Sequence, residues 1–345
     1  MSSEGDFQNN TAVSQKEPNH RKGLISVVVP CFNESAVIGV FYQELKRILI
    51  ALDGLEHEIV FIDDGSIDDT LAQLDQIARK DPCVRVGSFS RNFGHQIALT
   101  AGLDVVVGEA VITMDADLQH PPELIPQMID KWKSGYDIVS CVRDSTEGAS
   151  FLKNVTSRGF YRIINLMSET PIPYGAADFN LLSQRAYMAL RNMPERHRFL
   201  RGMTSWIGFK RTFLPYTARK RAGGESKYTV VKMVTLALDA ILSFSAAPLR
   251  IATRLGLLVT FLGFSYLMYI LCRYFFLGDT VQGWASLISA TLMLGGFNLV
   301  SVGLVGQYLS RIFEEVKGRP IYIFKQEPSR PGQSQSPEGP KEQSS

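Results

Sequence analysis

The sequence predicts an α/β protein: a mostly parallel sheet with helices on both faces, followed by an amphipathic interfacial helix and a two-helix transmembrane hairpin. Three observations carry this prediction. From Leu24 onward, continuous Val/Ile-rich runs alternate with helical stretches, the pattern of strands buried on both faces and joined by crossover helices. Each of the first four strand-like runs ends in polar or acidic residues. Late in the chain come two uncharged segments, 18 residues between Arg254 and Arg273 and 31 between Asp279 and Arg311.

In order, "LISVVVP" (24–30) reads as the first strand and "SAVIGVFYQELKRILIAL" as a helix with Ser35 at its N-cap. "HEIVFID" (57–63) reads as the second strand and "IDDTLAQLDQIARK" as the second helix. "VRVGSFS" is the third strand, "HQIALTAGLDVVV" the third helix and "AVITMD" the fourth strand. In such sheets ligands bind beyond the carboxyl ends of the strands. Those ends carry Asn33 and Glu34, then Asp63 and Asp64, then "SRNFGH", then Asp115 and Asp117.

A formal net charge of +2 over 345 residues argues against a global nucleic-acid surface. Residues 1–22 are polar, without the apolar run of a cleaved secretory signal. They and the Pro-rich 327–345 segment are expected to be disordered tails. Cys31, Cys83, Cys141 and Cys272 have no CxxC spacing and read as small residues of a reducing compartment. The expected organisation is an α/β unit over 23–225, interfacial amphipathic helices over 226–250, spans at about 254–275 and 285–309 within 251–311, and a terminal segment over 312–326.

Each uncharged segment approaches or exceeds the roughly 20 residues needed to cross a bilayer. Gly295, Gly296, Gly303 and Gly306 are expected to let the two helices approach closely. Arg250 and Arg254 precede the first segment, and Arg311, Lys317 and Arg319 follow the second. Basic flanks stay on the cytoplasmic side, so both termini and the α/β unit are expected there. "YTVVKMVTLALDAILSFSAAPL" (228–249) mixes helical apolar spacing with Lys232 and Asp239 and reads as a helix lying on the membrane.

The sequence has neither GxGxxG after the first strand nor GxxxxGK[ST], so a nucleotide site must rely on carboxylates. Carboxylates suit ribose hydroxyls and base N–H groups but repel phosphates. A divalent cation between them and a diphosphate resolves this, since Mg²⁺ takes one or two carboxylates and leaves its other positions to water and substrate phosphate. Asp115 and Asp117, two apart on a continuing strand, would project to one side.

"SVVVPCFNE", "FIDDGSIDDT", "SRNFGHQIALTAGL", "TMDADLQHPPE", "GAADFNLLS", "RAGGESKY" and "SFSAAPLR" together resemble the family 2 glycosyltransferases of the GT-A fold. More narrowly, they resemble polyprenyl-phosphate glycosyltransferases of the bactoprenol glucosyltransferase type, with dolichyl-phosphate mannose synthases as more distant relatives. "GLVGQYLSRIFEEVKGRP" fits as well, so the resemblance spans about 22–325.

The resemblance implies an inverting transfer of a hexose, glucose from UDP-glucose by preference, to undecaprenyl phosphate at the cytoplasmic face of a bacterial inner membrane, with Mg²⁺ or Mn²⁺. It implies that Pro30, Asn33, Glu34, Asp63, Asp64 and Asp115 bind the nucleotide sugar. Asp117 binds the metal with Asp115 and Gln119, and Asp178 stands at the catalytic-carboxylate position. Arg143, Lys153, Arg201 and Lys227 are implied to hold the acceptor or diphosphate. A tetramer paired through "RPIYIFKQ" (319–326) is implied too.

A phosphate monoester has a second pKa near 6 and needs little help losing a proton, so Asp178 is expected to orient substrate as much as to act as a base. His95, His120 and His197 lack metal spacing and read as ordinary histidines. A processive polysaccharide synthase would add a Gln-x-x-Arg-Trp motif, which does not occur among the surroundings of Trp132, Trp206 and Trp284. Another donor (GDP-mannose, UDP-GlcNAc, UDP-GalNAc or a modified pentose) and a non-catalytic membrane scaffold are the alternatives.

Overall fold

The computed structural model describes residues 21–146, 175–218, 247–277 and 283–329. Strands β1 (Arg21–Cys31), β2 (Glu56–Asp63), β3 (Val84–Phe89) and β4 (Gly108–Thr113) alternate with helices α1 (Ile38–Ile50), α2 (Thr70–Lys80) and α3 (His95–Val105). Then come α4 (Ile125–Lys133), β5 (Ile138–Thr146), β6 (Ala176–Ser183), α5 (Gln184–Arg191), α6 (Leu200–Trp206) and β7 (Arg211–Ala218). The long helices α7 (Ala247–Leu277) and α8 (Trp284–Val316) precede a short strand β8 (Phe324–Gln326).

The eight strands form one sheet in the order β7-β5-β6-β4-β1-β2-β3-β8. Its central block β4-β1-β2-β3 is parallel, as expected. β6 runs antiparallel to both β4 and β5. This reversal brings the start of β6 to the carboxyl end of β4, a juxtaposition that the site depends on.

Alternate residues of β1 feed two cores. Ile25, Val27 and Val29 pack with Ile38, Phe41 and Leu45 on one face. Val28 packs with Leu99, Leu103 and Tyr187 on the other. Each fully buried aliphatic or aromatic side chain contributes about 1.5–3 kcal/mol relative to exposure. α3 lies flush on the sheet because of Gly102, where a Cβ would stand 2.1 Å from a Val28 methyl.

The structure corrects several expectations. α1 begins at Ile38, with Val37 and not Ser35 before it and no side-chain cap. The loop after β2 has recruited the preceding backbone: Asn33 N–H donates to Ser66 Oγ (2.9 Å), Glu34 N–H to Thr70 Oγ1 (2.8 Å) and Ser35 N–H to Asp68 (3.2 Å). Arg21 and Lys22, placed in the N-terminal tail from sequence, already belong to β1.

At the other end, residues 327–329 dock onto the sheet edge: Arg85 Nε donates to Ser329 O (2.6 Å), and Pro328 sits over Gly87. The strand expected to pair with a neighbouring chain pairs with β3 of its own, Ser88 opposite Gln326 and Phe89 opposite Phe324, while Tyr322 stacks on Phe89. The inward-facing aromatic residues 322 and 324 find an apolar platform on that edge.

The segment read as an interfacial helix lies outside the described residues except for its final stretch, which is the start of α7. α7 and α8 have 31 and 33 residues. At about 1.5 Å per residue both exceed a hydrocarbon core of about 30 Å. Among the described residues, Leu249–Tyr269 has the length and apolarity of a span, with mean hydropathy 1.6 and none of it buried. The second expected span falls in α8, where several side chains are outside the described residues. A Cβ added at Gly295, Gly296, Gly303 or Gly306 would meet nothing within 4 Å among the described residues, whereas one at Gly256 of α7 would stand 3.9 Å from the Phe297 ring of α8.

Candidate active site

The carboxyl edge of the sheet opens into a cleft of about 880 Å³. Of the residues implicated from sequence, it gathers Pro30, Glu34, Asp64, Asp115, Asp117, Asp178 and Arg201. Asn33, Asp63, Gln119 and Arg143 are not part of its lining. Lys153 and Lys227, with Arg158, Arg219 and Arg221, lie outside the described residues.

The loops after β1 and β2 interlock. Asn33, in the left-handed region at φ 56°, accepts the Ile67 N–H through its side-chain oxygen at 3.0 Å. Short polar side chains such as Asn tolerate that conformation. Asp63 is buried and accepts from Ser66 N–H (3.2 Å) and Ser88 Oγ (2.7 Å), so it braces the turn. Gly65, at φ 69°, lets that turn touch the 91–92 backbone, where a Cβ would meet Arg91 C at 2.5 Å. Asp64 reaches across to the same loop and accepts from Phe93 N–H (2.7 Å) and Gly94 N–H (3.0 Å). Burial raises its pKa, and these amides oppose the rise.

Asp115 and Asp117 do not continue β4. The strand ends at Thr113, Ala116 turns inward, and Leu118 adopts φ 62°. Both carboxylates nevertheless line the cleft, brought there by a turn and not by strand alternation. Asp117 Oδ1 accepts the Gln119 N–H (3.1 Å), and Gln119 Oε1 accepts from Arg143 (3.2 Å). His120 fixes the turn from beneath. Its Nδ1 accepts the Asp115 N–H at 3.0 Å, and its ring stacks on Phe179 at 5.2 Å. The bond to Nδ1 leaves the proton on Nε2, 3.7 Å from Asp115 Oδ2. Burial lowers the His120 pKa, despite the nearby carboxylates.

Asp178, on β6, is only 5 % exposed at its side chain. Arg201 of α6 forks onto it, Nε to Oδ1 and Nη2 to Oδ2, both at 2.9 Å. Gln96 Nε2 donates to Oδ2 at 3.0 Å. Burial alone would raise the Asp178 pKa, but Arg201 and His95 hold it well below the usual carboxylate range. His95 Nε2 stands between Asp115 Oδ1 (3.3 Å) and Asp178 Oδ2 (3.5 Å). Its ring is crowded in the cleft yet 42 % exposed. Desolvation pulls its pKa down, and the bond to Asp178 with the charges of Asp115 and Asp178 outweighs that, giving about 9.

The negative cluster thus has a cation already in place. His95, Gln96 and His120 are site residues that the sequence reading passed over. The only linear signal for the first two is their position at the start of α3, immediately after a strand end.

On the opposite wall, Arg196, His197, Arg198 and Phe199 precede α6, and Arg311 reaches in from α8. His197 Nε2 pairs with Glu314 of α8 at 2.8 Å, and the Arg196 N–H donates to Glu315 (2.9 Å). The cleft therefore has an acidic wall from the sheet and a basic wall tied to a long apolar helix.

Asp115 Oδ1 makes no hydrogen bond among the described residues, although His95 stands beside it. Among the described residues, no group of three His, Cys, Asp or Glu side chains is placed to hold a metal ion by itself. This donor set suits a cation completed by a ligand's own phosphates, as Mg²⁺ prefers, and does not form a preformed cage.

Residues 26–191 match the model of glycosyl transferase family 2. An uncharacterized glycosyltransferase of Bacillus subtilis is 42 % identical over 86 % of this chain and 92 % of its own length. The bactoprenol glucosyl transferase of Shigella phage SfV is 41 % identical over 88 % of this chain and 98 % of its own. Among solved structures, Staphylococcus aureus TarS (residues 1–349) with UDP-GlcNAc aligns at TM-score 0.45 and 18 % identity, covering 64 % of this chain and 65 % of that one.

Proposed function

We propose, from the premise that this chain belongs to glycosyl transferase family 2 and is a glycosyltransferase, that it moves a hexose from a nucleotide sugar to a polyprenyl phosphate at the cytoplasmic face of a bacterial membrane. The specific reading is glucose from UDP-glucose to undecaprenyl phosphate, with inversion, by a multi-pass enzyme whose termini are cytoplasmic. The observation that carries it is the composition of one cleft: Asp64, Asp115, Asp117 and Asp178 on one side, and Arg311 of an apolar helix on the other. A nucleotide sugar needs the first set and a phosphate at headgroup height needs the second. Near-full-length similarity to a bactoprenol glucosyl transferase supports the same acceptor.

In this reading Pro30, Glu34 and Asp64 hold the nucleoside, with Asn33 and Asp63 bracing their loops. Asp117 and Asp115, with Gln119 behind them, would hold Mg²⁺ or Mn²⁺, which supplies charge stabilisation to the departing diphosphate. The acceptor phosphate oxygen attacks the anomeric carbon, the bond from that carbon to the diphosphate oxygen breaks, and the nucleoside diphosphate leaves with the electron pair. The acceptor is already largely dianionic at neutral pH, and both Asp178 oxygens are engaged by Arg201 and Gln96. Asp178 therefore orients Arg201 and the sugar and does not remove a proton. Arg143, Arg201, Lys153 and Lys227 supply cationic contacts to the phosphates, Arg as a planar fork and Lys as a point charge.

The test is incubation of membranes carrying the full-length protein with undecaprenyl phosphate, Mg²⁺ or Mn²⁺ and separate radiolabelled donors: UDP-glucose, GDP-mannose, UDP-GlcNAc, UDP-GalNAc and a modified pentose nucleotide. Labelled lipid from UDP-glucose is expected. Label from a different donor would replace the sugar assignment, and no labelled lipid from any donor would overturn the reaction.

A further inference from the structure

We infer that Gln96 is a positioning residue of the transfer reaction, a side-chain bridge that sets Arg201 and Asp178 in register across the cleft. The inference deepens the function proposed above and rests on it for its kinetic half only. Gln96 stands one residue into α3. Its Nε2 donates to Asp178 Oδ2 at 3.0 Å, and its Oε1 accepts the Leu200 N–H at 3.0 Å.

The amide orientation is unambiguous. A carboxylate only accepts and a backbone N–H only donates, so a flipped amide would oppose like to like at both ends. One planar group therefore joins three elements: α3, β6 and the first residue of α6. Leu200 is followed at once by Arg201, whose guanidinium forks onto the same carboxylate. The result is a closed circuit from Gln96 to Leu200, Arg201, Asp178 and back to Gln96.

The circuit has a physical need behind it. α6 has only seven residues and no side-chain cap, so its first N–H groups have no partner within the helix. The chain before it, residues 193–199, has no regular structure and is tied to the charged end of α8. Beside the Arg201 fork, which hangs on a long and flexible side chain, Gln96 adds a second hydrogen-bonded tie between the start of α6 and the acidic wall. Gln96 fixes the backbone from which Arg201 departs. It also occupies a lone-pair direction of Asp178 Oδ2, which keeps that carboxylate facing Arg201. α3 supplies the rigid end, because Ala98, Leu99, Ala101 and Gly102 are buried against the sheet.

The test uses the full-length protein in detergent or membranes and two variants. Gln96→Met keeps the length of the side chain and removes both hydrogen bonds. Gln96→Glu keeps the acceptor for Leu200 and turns the other end into a second carboxylate against Asp178. Hydrogen exchange is read on peptides covering 199–206 and, as an internal control, 97–105. Gln96→Met is expected to speed exchange in the first segment at least fivefold and to leave the second unchanged. Unchanged exchange at 199–206 would overturn the bridge whatever substrate the enzyme uses.

Turnover is then measured with the donor that labels lipid in the wild type. Both variants are expected to lose about tenfold to a hundredfold in kcat, with donor KM within threefold. Combining Gln96→Met with Arg201→Ala is expected to cost no more than Arg201→Ala alone, as for residues acting as one unit. A kcat within twofold of wild type, or losses that multiply in the double variant, would overturn the positioning role. Absence of product from the wild type would instead count against the proposed reaction, leaving the exchange result to decide the bridge.

Discussion

The two edges of the central sheet both carry buried charge, and they handle it differently. At the amino edge, Ser26 Oγ donates to Glu58 (2.5 Å), Arg85 donates to Glu58 (2.8 Å) and to Val105 O (3.2 Å), and Gly108 N–H donates to Ser26 Oγ (3.0 Å). Ser329 O takes the Arg85 Nε. No atom of this network appears among the unpartnered buried groups, and Glu58 and Arg85 are buried. At the carboxyl edge the cluster is open to a cleft, one Asp115 oxygen lacks a hydrogen bond among the described residues, and the balancing cation is a half-exposed histidine. Charge at a strand end does not identify a functional site by itself. A closed, satisfied network is scaffold, whereas an open one with an unfilled acceptor is built to receive something.

Substitutions on the two edges should therefore separate activity from stability. The largest effect is expected for Asp178→Asn, which removes the charge that holds Arg201 and His95. Lipid-product turnover should fall about a hundredfold to a thousandfold, measured with purified protein at saturating donor, and wild-type kcat would end the claim that the open edge is catalytic. Next is Arg85→Ala on the closed edge, which leaves Glu58 buried and unpaired. A loss of about 3–5 kcal/mol is expected in denaturant unfolding of the full chain, and a loss below 1 kcal/mol would show the closed network to be dispensable.

His95 gives a pH signature. Its folded pKa of about 9 lies above the ordinary 6.5. Its contribution is thus fully present below pH 6.5 and is lost as pH rises through about 9. The chelated wild type should lose thermal stability over that window, and His95→Asn should flatten the slope. An equal slope in both proteins would mean that His95 is not charged between the carboxylates. The smallest effect belongs to the exposed His197–Glu314 pair. Glu314→Gln should change stability by under about 1 kcal/mol, and a larger loss would reveal a stronger tie between α8 and the cleft.

The parallel core was legible because strands buried on both faces read as unbroken apolar runs. β1 to β4 and α1 to α3 match the sequence reading to within a few residues. The departures have local causes. Ser35 does not cap α1, which begins three residues later at Ile38; its N–H is instead held by Asp68, 33 positions on. The Asp115–Asp117 pair lies beyond the strand, which ends at Thr113, in a turn that includes Leu118 at φ 62°. β6 was not foreseen, and its antiparallel course is what carries Asp178 beside Asp115 and His95.

The carboxylates were readable one by one at strand ends. His95, Gln96 and His120, which answer them, were not, since they reach the carboxylates only through tertiary packing. Arg201 was assigned to phosphate from sequence, and in the structure it is folded onto Asp178. The resemblance implied intermolecular pairing for residues 319–326; within the chain, β8 pairs with β3 and is the outermost strand of the sheet.

The most direct test of the central claim is the rate of labelled polyprenyl-phosphate sugar formation by Asp117→Asn beside wild type and Arg85→Lys, all in membranes at equal protein. The account predicts at least a hundredfold loss for Asp117→Asn and a near wild-type rate per folded molecule for Arg85→Lys. Equal rates for Asp117→Asn and wild type would contradict it.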